Sequence, residues 1–450
     1  MINLEKLRVI LKILFISVLC FASVPVAFVF AGGHESAEDV EFSELAMAGE
    51  PLYLHYCAHC HGVSGEGDGF NAENLEKDPA ELSDNSFVSK RSNKKLFKVI
   101  SKGGRAAKRS YLMPNFGRTL SEKEIWSLVA YIRLLAEDKQ HPVSLPPDTK
   151  VNRPKIPPET GESLRSFIKW YKNEGSSSAL VKDGESLFRD KLACIACHSI
   201  ADEGGRVGPE LTRAHYLYKP EWLYVWIKNP QHAKPKTRMP NLGVSEKQAR
   251  ALVAFLQNLK GIEEEEEGED DEEEEDDEEE ESERETVQEV KQIVLDEWKP
   301  FLEAEGDAVA GKALFFDMEG TANCAKCHTV KGEGGKVGPD LSLVGTSRTK
   351  EFLLESILNP KAVITVGYAS VLILTKEGKF LTGIKVNEDD QSLDIIDKEG
   401  KPLHVEKSLI KKFKMQKISI MPGNFKDILS KEEIQNLLAY LTSLTLPQLQ

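Results

Sequence analysis

The sequence predicts a mainly α-helical protein made of three tandem domains, and a pattern that occurs three times supports this prediction. The pentapeptide C-x-x-C-H begins at Cys57, at Cys194 and again at Cys324. Each copy is followed by a Met-Pro pair and then by a segment whose apolar residues recur with the period of an amphipathic helix. Because long repeats in a sequence correspond to repeated structural units, we expect one small helical domain around each copy.

The composition is that of a globular protein with one very polar segment. The chain has 450 residues, of which 40% are hydrophobic, so it is long enough for several domains of ordinary size. Much of its net charge of −15 comes from residues 263–285, which contain 20 acidic residues and a single basic residue, Arg284. The rest of the chain carries a net charge of about +4. The acidity is therefore a property of this run and not of the expected domains.

The first 31 residues have the pattern of a targeting segment. Three basic residues precede an apolar stretch from Ile13 to Phe30, and Val29 and Ala31 are the small residues that signal peptidase requires. The stretch is also long enough to span a bilayer, so a cleaved signal peptide and a retained membrane anchor both remain open. In either case we expect the rest of the chain to be exported to the periplasm or an equivalent extracytoplasmic compartment.

The cysteines form three pairs, each followed directly by a histidine. Apart from Cys20 in the apolar stretch, the cysteines of the sequence are Cys57, Cys60, Cys194, Cys197, Cys324 and Cys327. C-x-x-C-H is the haem c attachment signature, in which two thioethers hold the porphyrin and the histidine binds its iron. A structural zinc site would need two pairs separated by about 15–20 residues. These pairs are 134 and 127 residues apart. We therefore expect three covalently attached haem c groups.

The repeat extends to both sides of each pentapeptide. Upstream, a glycine is followed four residues later by an aromatic residue; these pairs are Gly49 and Tyr53, Gly184 and Phe188, and Gly311 and Phe315. Downstream, each copy has a capping box, in which a serine and a Glu or Gln three residues later satisfy each other's backbone amides. The capping serines are Ser121, Ser245 and Ser430, and the helices that follow them carry Tyr131, Phe255 and Tyr440 at equivalent positions.

With these motifs the sequence resembles the class I cytochrome c family, three times in tandem. The resemblance implies a small all-α fold in which the first and last helices cross at the glycine and the two aromatic residues. It also implies the axial ligands of each iron, which are His61, His198 and His328 on the proximal side and Met113, Met239 and Met421 on the distal side. Met415 is an alternative ligand in the third domain, although no proline follows it. His/Met ligation fills the sixth position of the iron, which suits electron transfer.

The resemblance further implies a backbone carbonyl that accepts the Nδ1 proton of each proximal histidine. Val-Gly-Pro triplets that end at Pro209 and Pro339 lie at the expected place in the second and third domains. The first domain lacks this triplet, and Pro79 is a weaker candidate. Such a hydrogen bond would fix the orientation of the imidazole and raise its basicity.

The third domain has an insertion between its histidine and its methionine. His328 and Met421 are 93 residues apart, against 41 and 52 residues in the second and first domains. Residues 363–416 alternate or are β-branched, with turns at 377–378 and 399–400, and predict a small β insertion. The segments ILNPKAVITVGY, KEGKFLTG and SIMPGNF resemble the C-terminal haem-binding domain of membrane-associated dehydrogenase-like proteins. A lid over the haem and a docking surface are both open as the role of this insertion.

These patterns divide the chain into a targeting segment, three cytochrome c domains and two linkers. The expected domains are residues 41–137, 179–260 and 287–450, and the linkers between them are residues 138–178 and 261–286. Six prolines between residues 142 and 158 predict that the first linker is a semi-rigid spacer. The acidic linker repels itself, and we expect it to be disordered. It serves either as a spacer or as a strip that attracts a basic partner.

The hypothesis that follows is an exported tri-haem c-type cytochrome that transfers electrons between redox protein partners and has no catalytic activity of its own. The alternative is the electron-transfer subunit of a larger membrane-associated oxidoreductase, either a dehydrogenase or a quinol-oxidising complex. We expect no nucleic-acid partner, and membrane attachment only through the N-terminal segment. A peroxidase would need an open iron, which three candidate methionine ligands argue against.

Overall fold

The computed structural model describes residues 37–108, 110–259, 298, 300 and 302–446, except 366, 389, 390 and 417. Within this part the chain folds mainly into α-helices, with two two-stranded sheets and one five-stranded sheet. The predicted mainly α class is therefore confirmed. The targeting segment 1–31 and the acidic run 263–285 lie outside the described residues. Among the residues that are described, no helix is long and apolar enough to cross a membrane.

The first domain is a set of helices around a core of its own. Its helices are α1 (Ala37–Tyr56), α2 (Ala58–His61), α3 (Asn85–Val88), α4 (Asn93–Lys102) and α5 (Glu122–Leu135). Because α2 follows directly on α1, the first C-x-x-C-H motif lies at the end of the first long helix. Helix α4 begins where the hydroxyl of Ser92 accepts from the amide of Lys95, and its buried residues Leu96 and Ile100 are four positions apart on one face.

The second domain begins earlier than the sequence predicted. Its elements are α6 (Gly161–Glu174), α7 (Ser178–Ser186), a π-helical turn (Leu187–Lys191), β1 (Ser199–Ile200), β2 (Glu203–Gly204), α8 (Ala214–Leu217), α9 (Pro220–Lys228), α10 (Pro230–Ala233) and α11 (Glu246–Leu256). Helix α6 lies inside the segment 138–178 that was expected to be a spacer.

The expectation that residues 138–178 form only a spacer is thus wrong for α6, and the packing of this helix gives the reason. The hydroxyl of Thr160 accepts from the amide of Ser163 and caps the helix. Leu164 and Phe167 are buried in the core of the second domain, and the ring of Phe167 stacks on that of Tyr224 with centroids 4.2 Å apart. All six prolines precede this helix, so the proline-rich segment ends where α6 begins.

The third domain repeats the second, with the sheet inserted before its last two helices. Its elements are α12 (Ala308–Phe316), β3 (Thr329–Val330), β4 (Glu333–Gly334), α13 (Val344–Ser347), α14 (Lys350–Leu358), β5 (Ser370–Thr375), β6 (Phe380–Glu388), β7 (Ser392–Ile396), β8 (Pro402–Glu406), β9 (Ile410–Met415), α15 (Phe425–Ile428) and α16 (Lys431–Ser443). The hairpin and the two following helices lie 130 residues after those of the second domain, as His328 does after His198.

Strands β5 to β9 form the predicted β insertion. They make one antiparallel sheet in the order β8-β7-β6-β5-β9. The sheet has a small core of its own, which consists of Val371, Ile373, Leu393, Ile395 and Val405. Gly378 and Gly400 have the positive φ angles that the two predicted turns require. Strands β8 and β9 were not among the predicted strands.

In each domain the helix that precedes the C-x-x-C-H motif crosses the last helix at a glycine, so that α1 packs on α5, α7 on α11 and α12 on α16. A Cβ atom added to Gly184 would overlap the backbone carbonyl oxygen of Ala251, and Gly49 and Gly311 have the same relation to the last helices of their domains. The aromatic rings meet beside this contact, with centroids 5.2 Å apart for Tyr53 and Tyr131, 5.7 Å for Phe188 and Phe255, and 5.5 Å for Phe315 and Tyr440. All three predicted capping boxes form.

The second and third domains meet through equivalent residues. Tyr218 and Arg348 each follow their proximal histidine by 20 residues, and they form an antiparallel β-bridge with each other. The guanidinium of Arg348 lies 4.3 Å from the centre of the Tyr218 ring. Beside them, the amide of Lys219 donates to the carbonyl of Ser347. An antiparallel pairing of a residue with its own counterpart indicates an approximate two-fold axis between the two domains.

We predict that Gly184→Ala destabilises the second domain by about 1–3 kcal/mol, the usual result of adding atoms to a packed contact. The added methyl group would push α7 away from α11 at their crossing. Denaturant unfolding of the full chain checks this, with the transition of the second domain expected at a lower midpoint. Asp183→Ala, on the exposed side of the same helix, is the matched control. Equal midpoints for the two variants would contradict the role of the glycine.

Candidate haem sites

Each of the three predicted proximal histidines forms a hydrogen bond with a backbone carbonyl through Nδ1. The distances from Nδ1 to the carbonyl oxygen are 2.9 Å for His61 and Ala80, 2.8 Å for His198 and Pro209, and 2.9 Å for His328 and Pro339. Because a carbonyl oxygen can only accept, Nδ1 carries the proton and Nε2 keeps its lone pair for a metal. Burial lowers the pKa of all three imidazoles, which favours this neutral form.

The first domain departs from the expected pattern by one residue. The acceptor is the carbonyl of Ala80 rather than that of Pro79. The Pro79 carbonyl lies next to the turn at Gly67 instead. A Cβ atom added to Gly67 would be 3.0 Å from the Pro79 carbonyl oxygen. The hydrogen bond that orients the histidine is therefore present in all three domains, although only two of them have the Val-Gly-Pro triplet.

The six motif cysteines are free thiols in enclosed surroundings. Burial raises the pKa of the Cys57, Cys194 and Cys197 thiols to about 12 and that of Cys324 to about 11. Each motif presents two unbridged thiols directly before a histidine, which is the arrangement that haem c attachment uses.

The Met-Pro segments approach the sites as tight turns. The amide of Met239 donates to the hydroxyl of Thr237, and the amide of Met421 donates to the hydroxyl of Ser419, both at 3.2 Å. In the first domain the carbonyl of Met113 accepts from the amide of Gly104 at 3.0 Å. The side chains of Met113 and Met421 pack against the cores of their own domains.

A single cavity of about 3660 Å³ connects the sites. It is lined by the histidine and the methionine of both the second and the third domain, which are His198, Met239, His328 and Met421. It reaches the first site through Ala58, His59 and Pro114. The predicted proximal and distal residues of the second and third sites therefore line a common space that could hold large planar groups.

One contact to a distal methionine was not predicted from the sequence. The indole Nε1 of Trp226 donates to the sulfur of Met239 at 2.8 Å. Trp226 lies on α9, where an aromatic residue in an apolar helix would ordinarily be read as part of the core. Its counterpart 130 residues later is Ser356, so this donor distinguishes the second domain from the third.

The β insertion forms part of the wall around the third site. Ile384, Val386 and Met415 line the same cavity as His328 and Met421. The turn between β7 and β8 also reaches the site, since a Cβ added to its Gly400 would lie 3.4 Å from a methyl group of Val337. Of the two roles left open for the insertion, these contacts agree with shielding of the third site.

Two family models match the chain in the three domains just described. The model described as cytochrome c oxidase, cbb3-type, subunit III matches residues 44–132. The model described as cytochrome c matches residues 181–260 and 308–377. Each match includes one C-x-x-C-H motif, and the last one ends inside the β insertion.

Similar individual proteins include a nitric oxide reductase subunit from Halomonas halodenitrificans. It is 29% identical over 119 residues, which cover 23% of this chain and 78% of that protein. Among solved structures, a chain of the reducing HAO-like protein complex of Kuenenia stuttgartiensis is 16% identical, with a TM-score of 0.17. That match covers 47% of this chain and 95% of the other.

The helix crossings, the oriented histidines and these matches define domains that bind haem c covalently and transfer electrons through its iron. In the second and third domains the residues present fit such a group, since unbridged thiols, an imidazole with a free Nε2 and a thioether sulfur line an open cavity. Over residues 44–132, 181–260 and 308–377 the three domains match models of cytochrome c domains, in agreement with the resemblance to the class I cytochrome c family.

We predict that Trp226→Phe lowers the reduction potential of one haem and leaves the others unchanged. The indole proton withdraws electron density from the Met239 sulfur, so its loss makes the sulfur a better donor to ferric iron. A hydrogen bond of ordinary strength corresponds to a shift of roughly 20–60 mV. Spectropotentiometry measures the change. Trp222→Phe, whose ring packs on Trp226 with centroids 5.4 Å apart, is the matched control and should leave all potentials in place.

Proposed function

We propose that the chain is an exported tri-haem c-type cytochrome that carries electrons between redox proteins outside the cytoplasmic membrane. One observation carries this proposal: the hydrogen bond from a C-x-x-C-H histidine to a backbone carbonyl occurs three times. An electron-transfer site needs its proximal ligand fixed in one orientation, and this bond provides that in every domain. Cytochrome c domains are typically extracytoplasmic, which agrees with the export segment expected at residues 1–31.

At each site three kinds of residue would have different roles in holding the haem. The thiols of Cys57 and Cys60, Cys194 and Cys197, and Cys324 and Cys327 would hold the porphyrins as thioethers. His61, His198 and His328 would bind the irons through Nε2, and Met113, Met239 and Met421 would bind them from the other side. In the third domain Met421 is the better ligand, because it packs on the helical core, whereas Met415 lies on the edge strand β9. Haem c supplies a one-electron couple when bound, and the enclosing apolar residues keep water from it.

We predict that the mature protein carries three covalent haems and that the double variant Cys194→Ala/Cys197→Ala carries two. Thioether attachment survives acid denaturation, so the mass of the denatured chain counts the haems directly. Cys20→Ala lies outside the motifs and is the control, with an unchanged haem count expected. Two haems or fewer in the wild-type protein, produced with a complete cytochrome c maturation system, would contradict the proposal.

A second candidate function is favoured by the named relatives. Both the cbb3-type model and the nitric oxide reductase protein are described as subunits, so this chain could be the electron-transfer subunit of a larger membrane-associated oxidoreductase. Its surroundings in the cell would then include a catalytic subunit, whereas a free carrier would purify alone.

We predict that the full-length protein, extracted in mild detergent through an affinity tag, elutes as a single chain and exchanges electrons with small soluble redox proteins. A stoichiometric partner that stays bound through a salt wash and has oxidoreductase activity would instead establish the subunit role. The haem count of the purified chain is the control, since a chain that lacks haem could lose a partner for trivial reasons.

A further inference from the structure

We propose that Asn71 couples the first haem site to the second, by positioning their C-x-x-C motifs against each other and tuning the first site. The inference rests on the proposed function, because it requires haem at both sites. Asn71 lies ten residues after the proximal histidine of the first domain and is completely buried, although the preceding Phe70 is exposed.

The polar atoms of Asn71 are satisfied largely by the second domain. Its Nδ2 donates to the carbonyl of Ala196 at 2.9 Å, and its Oδ1 accepts from the amide of Arg206 at 2.7 Å. Ala196 lies between the two cysteines of the second motif. The side chain of one domain therefore makes two hydrogen bonds to the backbone of the other domain's haem-attachment loop.

The same amide also contacts the first motif. Nδ2 of Asn71 lies 3.3 Å from the sulfur of Cys60, to which it donates. The backbone amide of Asn71 donates to the carbonyl of His59 at 2.9 Å and keeps the residue beside its own motif. One side chain thus joins a sulfur atom of the first site to the peptide backbone of the second.

Glycine makes this close approach possible on the side of the second domain. A Cβ added to Gly205 would overlap the carbonyl of Ala196 and would lie 2.9 Å from Oδ1 of Asn71. Around the contact, Leu112 of the first domain packs with Ala193 and Ala196 of the second in a small apolar cluster. The hydrogen bonds of Asn71 are therefore sealed from water, which strengthens them.

A second set of hydrogen bonds, made by residues far from Asn71 in the sequence, also joins the first and second domains. The amide of Asn241, two residues after Met239, donates to the hydroxyl of Thr119 at 2.9 Å. Nε of Arg118 donates to Oδ1 of the same asparagine at 3.2 Å. Truncation of Asn71 leaves this attachment in place, so its effect can be measured without separating the domains.

The contact is specific to the first pair of sites. The counterparts of Ala196 and Arg206 in the third domain are Lys326 and Lys336. Among the residues that the structure describes, no side chain makes the corresponding pair of hydrogen bonds to the third motif. The first and second sites therefore have a direct polar connection of a kind that the third site lacks.

This geometry has two consequences for electron exchange. One electron passes between the sites, so that one is oxidised as the other is reduced and no proton is needed. Electronic coupling falls steeply across an empty gap, and a hydrogen-bonded amide between the Cys60 sulfur and the second motif fills that gap. In addition, the hydrogen bond that Nδ2 donates to the Cys60 sulfur withdraws electron density from the first site, which favours its reduced form and raises its potential.

The test compares Asn71→Ala and Asn71→Asp with the wild-type full-length holoprotein, with Asn74→Ala as the matched control on the same loop. Asn71→Asp keeps the acceptor for Arg206 but removes both donated hydrogen bonds and adds a negative charge. Each protein is measured for haem count, for the potential of each haem, and for the rate of internal exchange after flash reduction.

We expect three haems in every variant and a lower first-site potential in Asn71→Ala, with a further decrease in Asn71→Asp. Internal exchange should slow by about tenfold, equivalent to about 1.4 kcal/mol of activation free energy, and Asn74→Ala should match the wild type. If all three haems are present and potentials and rates stay at wild-type values, the inference is wrong, even where stability falls. Fewer than three haems in the wild type would overturn the proposed function instead.

Discussion

The contact between a glycine on the helix before the C-x-x-C-H motif and a carbonyl on the last helix determines the geometry of every domain. Because Gly49, Gly184 and Gly311 have no Cβ, the two helices touch at their backbones and the aromatic rings close the crossing. The C-x-x-C-H motif follows this helix by a few residues, so this crossing also fixes where each histidine stands. The carbonyl that receives its Nδ1 proton then fixes how the imidazole is turned.

The two interfaces between domains are built differently. The first and second domains are joined by side chains that enter the partner's loops, with Asn71 at the cysteine motifs and Asn241 beside the distal methionine. The second and third domains meet through backbone pairing of equivalent residues, Tyr218 and Arg348. Each site thus has a distinct protein environment although its proposed ligand set is the same, and distinct environments give chemically identical haems different potentials.

Patterns among residues a few positions apart could be predicted from the sequence, whereas contacts that only folding creates could not. The capping boxes at Ser121, Ser245 and Ser430 depend on residues three positions apart, and all of them form. Helix α6 was missed because its apolar residues Leu164 and Phe167 complete a core that lies mostly after it in the sequence. The roles of Asn71 and Trp226 depend on partners brought close only by folding, and neither residue belongs to a recognisable motif.

The two-fold relation of the second and third domains means that their shared surface is self-complementary, as in a symmetric dimer. The backbone part of this pairing does not depend on particular side chains, so it would also be available between two copies of one such domain. On one chain the neighbouring domain is present at an effective concentration in the millimolar range, which favours pairing within the molecule over pairing between molecules. The tandem arrangement therefore occupies this pairing surface within each polypeptide. A surface whose symmetry is that of a homodimer interface is buried inside one molecule and is not left free for a second one.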